Sequence, residues 1–382
     1  MSEKKPGRSV TLLTLLLLLA MVVAACAGDG STDETTAPDE TAAPDDTSAP
    51  DGELTPFTFA LTNQRVPQYY SYYLAEELGF YEEEGLDVEI VIVSGSSAAV
   101  QQVIAGNVDA GHPSGPATAQ AVSQGNCLNQ FYTYSYQNFA GMAAAAESGI
   151  TGPPDLEGQT IGVSEPAGGE VPLVRAIMAS VGLADGVDYQ IVGIGEGGAL
   201  TIEAIQNGDV QAYSSSVFDI ATVGAAGVEL VQIMPEEYLY FPTVSMVATC
   251  DYFEENQDVL ARFARAVTKG TVWKEGNPDA ALEIVRELEP ELFEDEALGL
   301  AFWETTQELN AFPPGMEDAI YGTHNRNGWE LYLDFASQGT EEEGALNSDA
   351  VDLDVLLVDD ILEAANDFDQ DALRQAAADY SG

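Results

Sequence analysis

Basic residues are nearly missing from this chain. Its 382 residues include 12 lysines and arginines against 64 aspartates and glutamates, a formal charge of −52. No nucleic acid would accept that field. Lysine does not occur between Pro6 and Thr268, so the main body offers no Schiff-base amine. Histidine occurs twice, as His112 and His324, far apart in sequence. Cysteine occurs three times, as Cys26, Cys127 and Cys250, and no CxxC, HExxH, GxSxG or GxxxxGK[ST] motif is present. A hydrolase, a zinc enzyme or a P-loop protein is hard to build from this set, and neither a metal nor a cofactor is expected. The acids are spread along the whole chain, which favours solubility, and suits a saline habitat, more than it suggests one acidic site.

What is present begins with a leader. Lys4, Lys5 and Arg8 precede the apolar run Val10 to Ala25, and Cys26 follows. A basic end, a short apolar stretch and small residues at a cut site make a secretory signal peptide over 1–25. Val23-Ala24-Ala25-Cys26 resembles the bacterial lipobox, which implies lipidation of Cys26 after cleavage. Residues 26–55, rich in Thr, Pro, Ala and Asp, have almost nothing to bury and read as a disordered, self-repelling tether. Without residues 1–25 the chain keeps 63 acids and 9 bases, a net of −54.

From Phe57 the pattern becomes α/β. "FTFALT" and "DVEIVIV" read as strands around a tyrosine-rich helix that contains Tyr69, Tyr70, Tyr72 and Tyr73. A short helix, Ala98 to Ala105, and a short strand near Val108 to Gly111 follow. Adding 102 to these numbers finds a second copy. "FTFALT" is answered by "QTIGVS", "DVEIVIVSGSSA" by "DYQIVGIGEGGA" with one residue of slack, and "IAGNVDAGHPS" by "IQNGDVQAYSSS". Three segments in order at one offset predict two α/β lobes on one plan.

Two lobes need crossings. Cys127 to Ala146 reads as a long β segment leaving lobe 1, and Tyr240 to Cys250 as a strand returning. If these pair antiparallel, Cys127 and Cys250 lie at the same end, and an exported chain would join them in a disulfide. After Cys250 four stretches carry helical periodicity and are expected to pack back on lobe 1. Lobe 1 is thus assigned 56–145 and 245–382, and lobe 2 146–244.

"YYLAEELGFYEEEGLDVEIV", "GSSAAVQQVIAGNVDAG", "PPDLEGQTIGVSEPAGG" and "GWELYLDFASQGT" together resemble segments of one family in the same order. The family is the NMT1/THI5-like and SsuA-like substrate-binding proteins of ABC importers, and the likeness runs from about Phe57 to Gly339. It implies a type II periplasmic-binding-protein fold, two α/β lobes joined by two crossing strands. It further implies capture of a small molecule between the lobes and delivery to a permease and its ATPase. A monomer, lipid-anchored on the outer face of the bacterial cytoplasmic membrane, is the corresponding expectation.

Ligands in open α/β sheets sit beyond the carboxyl ends of the strands. Those ends nominate Asn63, Gln64, Ser96, Ser97, His112 and Ser114 in lobe 1. In lobe 2 they nominate Glu165, Gly168, Gly169, Ser214, Ser215 and Asp219. Each has a second reading as a turn or helix cap. For His112 the choices are a polar contact in the cleft or a capping role. For Glu165 and Asp219 they are an acceptor for a ligand amino group or a cap. Tyr69 and Tyr70, at the helix end nearest the cleft, are nominated to stack on the ligand, with Tyr73 left to the core. The family's ligands include pyrimidine thiamine precursors, riboflavin, aliphatic sulfonates, taurine and nitrate. Scarce arginine and plentiful tyrosine favour a flat pyrimidine or flavin-like ring over an anion. The enzymatic alternative, a THI5-like pyrimidine synthase using pyridoxal phosphate on a lysine, finds no lysine in the relevant span.

Overall fold

The computed structural model describes residues 53–62, 67–166, 168–338 and 346–380. The leader, the tether up to residue 52, Cys26, Asn63 and Gln64 lie outside them. Among the described residues no helix is long and apolar enough to cross a membrane.

Lobe 1 opens with β1 (Thr55–Thr62), α1 (Tyr70–Glu77), α2 (Phe80–Glu83), β2 (Leu86–Val93) and α3 (Ser96–Ile104). It continues through β3 (Ala110–Gly111), α4 (Gly115–Ser123) and β4 (Leu128–Thr133). Lobe 2 holds β5 (Ala140–Ala145), β6 (Thr160–Val163), α5 (Val171–Ser180), β7 (Gln190–Gly193) and α6 (Ala199–Gln206). It ends with β8 (Ala212–Ser216), α7 (Val217–Ala225), β9 (Leu230–Gln232) and α8 (Glu236–Leu239). The chain returns as β10 (Ser245–Thr249) and runs into α9 (Cys250–Gly276), α10 (Pro278–Leu288), α11 (Glu296–Asn310) and α12 (Arg326–Ser337).

The two five-stranded sheets follow one plan, β2-β1-β3-β10-β4 and β7-β6-β8-β5-β9. In each, three parallel strands are followed by an antiparallel strand at which the chain enters the lobe from a crossing: β10 beside β3, β5 beside β8. The 102-residue offset reappears in the hydrogen-bond register. Phe59 pairs with Ala110, and Ile161 pairs with Ala212. The one residue of slack shows where Phe59 meets Ile90 but Ile161 meets Ile191.

The core of lobe 1 is aromatic. Phe57, Phe59, Tyr72 and Phe263 are buried together, with Phe59 5.3 Å from Tyr72 and 4.7 Å from Phe263. Side chains of this size each bury roughly 150–250 Å², so this cluster dominates the lobe's hydrophobic stabilisation. Helix α9 lies so close on α1 that a Cβ on Gly270 would collide with the Ser71 carbonyl oxygen. Beside that contact the Ser71 and Thr271 hydroxyls hydrogen-bond at 2.8 Å.

Two expectations need correction. The β segment drawn from Cys127 to Ala146 breaks between Thr133 and Ala140. There the N–H groups of Tyr134 and Ser135 donate to Val244 O, and those of Tyr136 and Gln137 to Leu309 O. The backbone has exchanged its sheet partners for the returning crossing and for α11. The helices after Cys250 also do not all pack on lobe 1. Trp329, Tyr332 and Leu333 of α12 share a core with Val163, Val174 and Phe241 of lobe 2, so 245–382 is not a single lobe-1 block. Phe241 meets Tyr332 at 5.7 Å and Phe335 at 5.3 Å. Helix α11 touches both lobes, Trp303 against Tyr70 at 5.5 Å and Phe302 against Phe218 of α7 at 4.9 Å.

Candidate functional site

A cavity of about 460 Å³ lies between the lobes, at the carboxyl ends of both sheets. Lobe 1 contributes Thr62, Tyr69, Ser96 and Ser114; lobe 2 contributes Ser164, Glu170, Glu196, Ser215, Ser216 and Asp219. The crossings supply the back wall, Tyr134, Ser135, Asn138 and Phe139 on one strand and Pro242 to Val244 on the other.

Much of the lining is held by its own hydrogen bonds. Tyr69 donates its hydroxyl to Thr62 O at 2.6 Å, which fixes the buried ring in the cavity wall. Tyr134 stacks on Tyr72 at 4.9 Å and donates to Gln68 O at 2.8 Å. Ser96 Oγ accepts from the Ser114 N–H at 3.0 Å. Across the cavity, Glu170 Oε1 accepts from both the N–H and the hydroxyl of Ser164, at 2.8 and 2.5 Å. Ser215 donates to Asp219 Oδ2 at 2.6 Å, and Ser216 caps α7 by accepting from the Asp219 N–H at 3.1 Å. Gly197 (φ 78°) lets the Glu196 loop pass this helix start, since a Cβ there would be 2.7 Å from Asp219 O. Three carboxylates therefore line the cavity, and among the described residues no lysine, arginine or histidine does. Such a wall receives N–H donors and aromatic faces, and it repels anions.

The family model described as NMT1/THI5 like matches residues 66–281. The chain belongs to this family. A formylaminopyrimidine-binding protein from Halalkalibacterium halodurans is 26% identical over 217 residues, 56% of this chain and 64% of that protein. The match thus spans less than two thirds of the relative's length. The periplasmic aliphatic sulphonate binding protein SsuA from Escherichia coli has a TM-score of 0.56 at 15% identity, over 77% of this chain and 94% of that one. The periplasmic nitrate-binding protein NrtA from Synechocystis PCC 6803 has 0.53 at 13% identity, over 84% and 91%. These identities carry the fold, the two-lobed α/β architecture of periplasmic binding proteins, and nothing finer.

Within this NMT1/THI5-like frame the structure brings Tyr69, Ser96, Ser114, Gly169, Ser215 and Asp219 to the cavity. Other nominees fall elsewhere. Tyr70 is turned roughly 100° from Tyr69 by the helix. It is buried against Trp303 rather than facing the cleft. His112 is sealed beneath the floor, 5.3 Å from Tyr69 and Tyr72 and 4.9 Å from Tyr134. Neither of its ring nitrogens has a hydrogen-bond partner among the described residues, and burial pushes its pKa down to about 3. It is a neutral member of an aromatic cluster, neither a ligand contact nor a cap. Ser214 is buried with its hydroxyl donating to Gly141 O at 2.9 Å, across β8 and β5. Ser97 is exposed on α3 outside the cavity. The turn closed by Gly168 N–H on Glu165 O, at 2.9 Å, carries both residues out of the lining, and Glu170 turns in instead.

The residues that strand-end reasoning missed are those of the crossing, above all Ser135, Asn138 and Phe139. Their signal was the polar stretch "SYQN" in the middle of the β run. Cys127 and Cys250 are joined by a disulfide, Cα atoms 5.4 Å apart, at the end of the β4–β10 pair away from the cavity. Among the described residues no group of three or more His, Cys, Asp and Glu could hold a metal ion.

Proposed function

We propose that this protein is the extracytoplasmic solute-binding component of an ABC importer, and that its ligand is a flat pyrimidine bearing amino groups. The composition of the cleft carries the reading. Phe139, 43% exposed, offers aromatic surface beside the buried Tyr69 and Tyr134, and Glu170, Glu196 and Asp219 offer acceptors with no described cation beside them. A pyrimidine ring stacks on the former, and its amino N–H groups donate to the latter. The formylaminopyrimidine-binding relative supports the same class. A sulfonate or nitrate would need donors; the described wall offers no cation, and the start of α7 holds Asp219 in its first turn.

Binding proceeds without bond making. The lobes close on the ligand by rotation about the two crossings, near 134–139 and 240–244, and the closed form is presented to a permease. Lipidation at Cys26 and the acidic tether would hold the protein at the outer face of the membrane. Calorimetric titration with aminopyrimidine thiamine precursors, riboflavin, taurine and nitrate tests the reading. Micromolar or tighter binding of an aminopyrimidine is expected, with none of the anions. Binding of taurine or nitrate without pyrimidine binding overturns it.

A further inference from the structure

A second cavity, of about 450 Å³, lies in lobe 1 behind the cleft. Tyr134 lines both cavities, and the Ser135 hydroxyl donating to Asn310 Oδ1 at 2.5 Å completes the partition. The second cavity differs in chemistry from the first.

Two side chains in its wall carry buried amide oxygens with no hydrogen-bond partner among the described residues: Gln307 Oε1 and Asn366 Oδ1. Both amides are oriented by their nitrogens. Gln307 Nε2 donates to Trp303 O at 3.1 Å, and Asn366 Nδ2 to Tyr321 O and Leu362 O at 2.9 and 2.8 Å. What remains on each is an acceptor. A buried polar atom left unpaired costs on the order of 1–3 kcal/mol, so two around one cavity call for a partner.

The cavity also holds an uncommitted cation. Lys274 has no carboxylate partner among the described residues; its ammonium lies 5.4 Å over the Tyr70 ring. Glu275, next in sequence, is taken by Arg374 at 3.0 Å and by the Tyr321 hydroxyl at 2.5 Å. Burial lowers the Lys274 pKa, and the neighbouring Glu275 charge only partly offsets it. Aromatic surface completes the wall, with Phe312 4.8 Å from Tyr136 and 6.0 Å from Tyr321.

We infer that this cavity is a second ligand site, for a small planar carboxylate that also bears N–H or O–H donors. The carboxylate pairs with Lys274, the donors meet the amide oxygens of Gln307 and Asn366, and the ring lies among Tyr136, Phe312 and Tyr321. The site is independent of the ligand held in the cleft, whose wall repels anions.

The test is calorimetric titration of the purified protein with 4-aminobenzoate and 2,4-dihydroxybenzoate, with benzoate as the donor-free control. Both substituted acids are expected to bind in the sub-millimolar range, and benzoate more weakly. Lys274→Met should weaken binding about tenfold or more, the scale of one charge-assisted contact. Gln307→Leu should weaken binding and also raise the thermal midpoint of the ligand-free protein, because an orphaned acceptor is gone. Asp219→Asn, in the other cavity, should leave the affinity for these acids unchanged. The inference is overturned if no probe binds at millimolar concentration, which would make the cavity a water pocket. It is equally overturned if binding survives Lys274→Met but is lost in Asp219→Asn, which would place the acids in the cleft.

Discussion

Replacing the disulfide should cost this protein much of its stability and none of its binding. Cys127 and Cys250 are 123 residues apart, and the loop they close contains both crossings and all of the β5–α8 segment. On the chain-entropy model, cross-linking a loop of that size removes roughly 16 cal/mol/K from the unfolded ensemble, about 4.9 kcal/mol at 25 °C. Cys127 is exposed and Cys250 half-buried, so a Cys127→Ser/Cys250→Ser double variant creates no large cavity and mainly releases the loop. The bridge lies at the far end of β4 from the cleft. Six strand residues at about 3.4 Å each place it roughly 20 Å away. Guanidinium unfolding of the native and double-variant proteins should show a loss of roughly 3–5 kcal/mol, while calorimetry finds ligand affinity unchanged. A loss under about 1 kcal/mol would refute the loop argument. A fall in affinity would show that the bridge also sets the geometry of the cleft.

Gly270→Ala should destabilise by about 1–3 kcal/mol in the same assay, because the new methyl meets the Ser71 carbonyl and outweighs alanine's helix preference. His112 has a folded-state pKa far below that of the unfolded chain, so the unfolded state takes up its proton first as pH falls. Its contribution therefore drops from about pH 6.5 toward about pH 3, at up to about 1.4 kcal/mol per unit. The His112→Phe variant should lose that part of the slope in urea titrations at stepped pH. Asp219→Asn should weaken aminopyrimidine binding about tenfold by calorimetry, removing one charged acceptor while keeping the shape. The dispersed acids predict a thermal midpoint that rises from low to molar salt, as the screening length shrinks from about 10 to 3 Å; greater stability at low salt would count against it.

The architecture was legible in the sequence because it is written twice. The offset that aligns "FTFALT" with "QTIGVS" is the offset of the strand register itself, Phe59 to Ala110 and Ile161 to Ala212. Strand ends were legible too, since loop hydroxyls and glycines follow apolar runs, and they led to Tyr69, Ser96, Ser114, Ser215 and Asp219. Partner choice was not. The stripe Trp329, Tyr332, Leu333 shows that α12 has an apolar face, but only tertiary packing decides that Phe241 meets it. Polarity also misled at single residues. His112 looks like a binding group in sequence, and the aromatic rings around it leave no room for a ligand. The crossing residues Asn138 and Phe139 were hidden inside what reads as one strand.

The late arrival of β10 has a consequence for how the molecule can be taken apart. The sheet of lobe 2 is built from the unbroken run β5 to β9, whereas the sheet of lobe 1 takes β10 from beyond it, so a fragment that stops before β5 would expose an open edge beside β3. Such a piece should aggregate rather than persist alone. For the same reason the intact molecule should unfold in one cooperative step. A solute-gated motion is then confined to bending at the two crossings, with the β4–β10 and β5–β8 ladders never sliding.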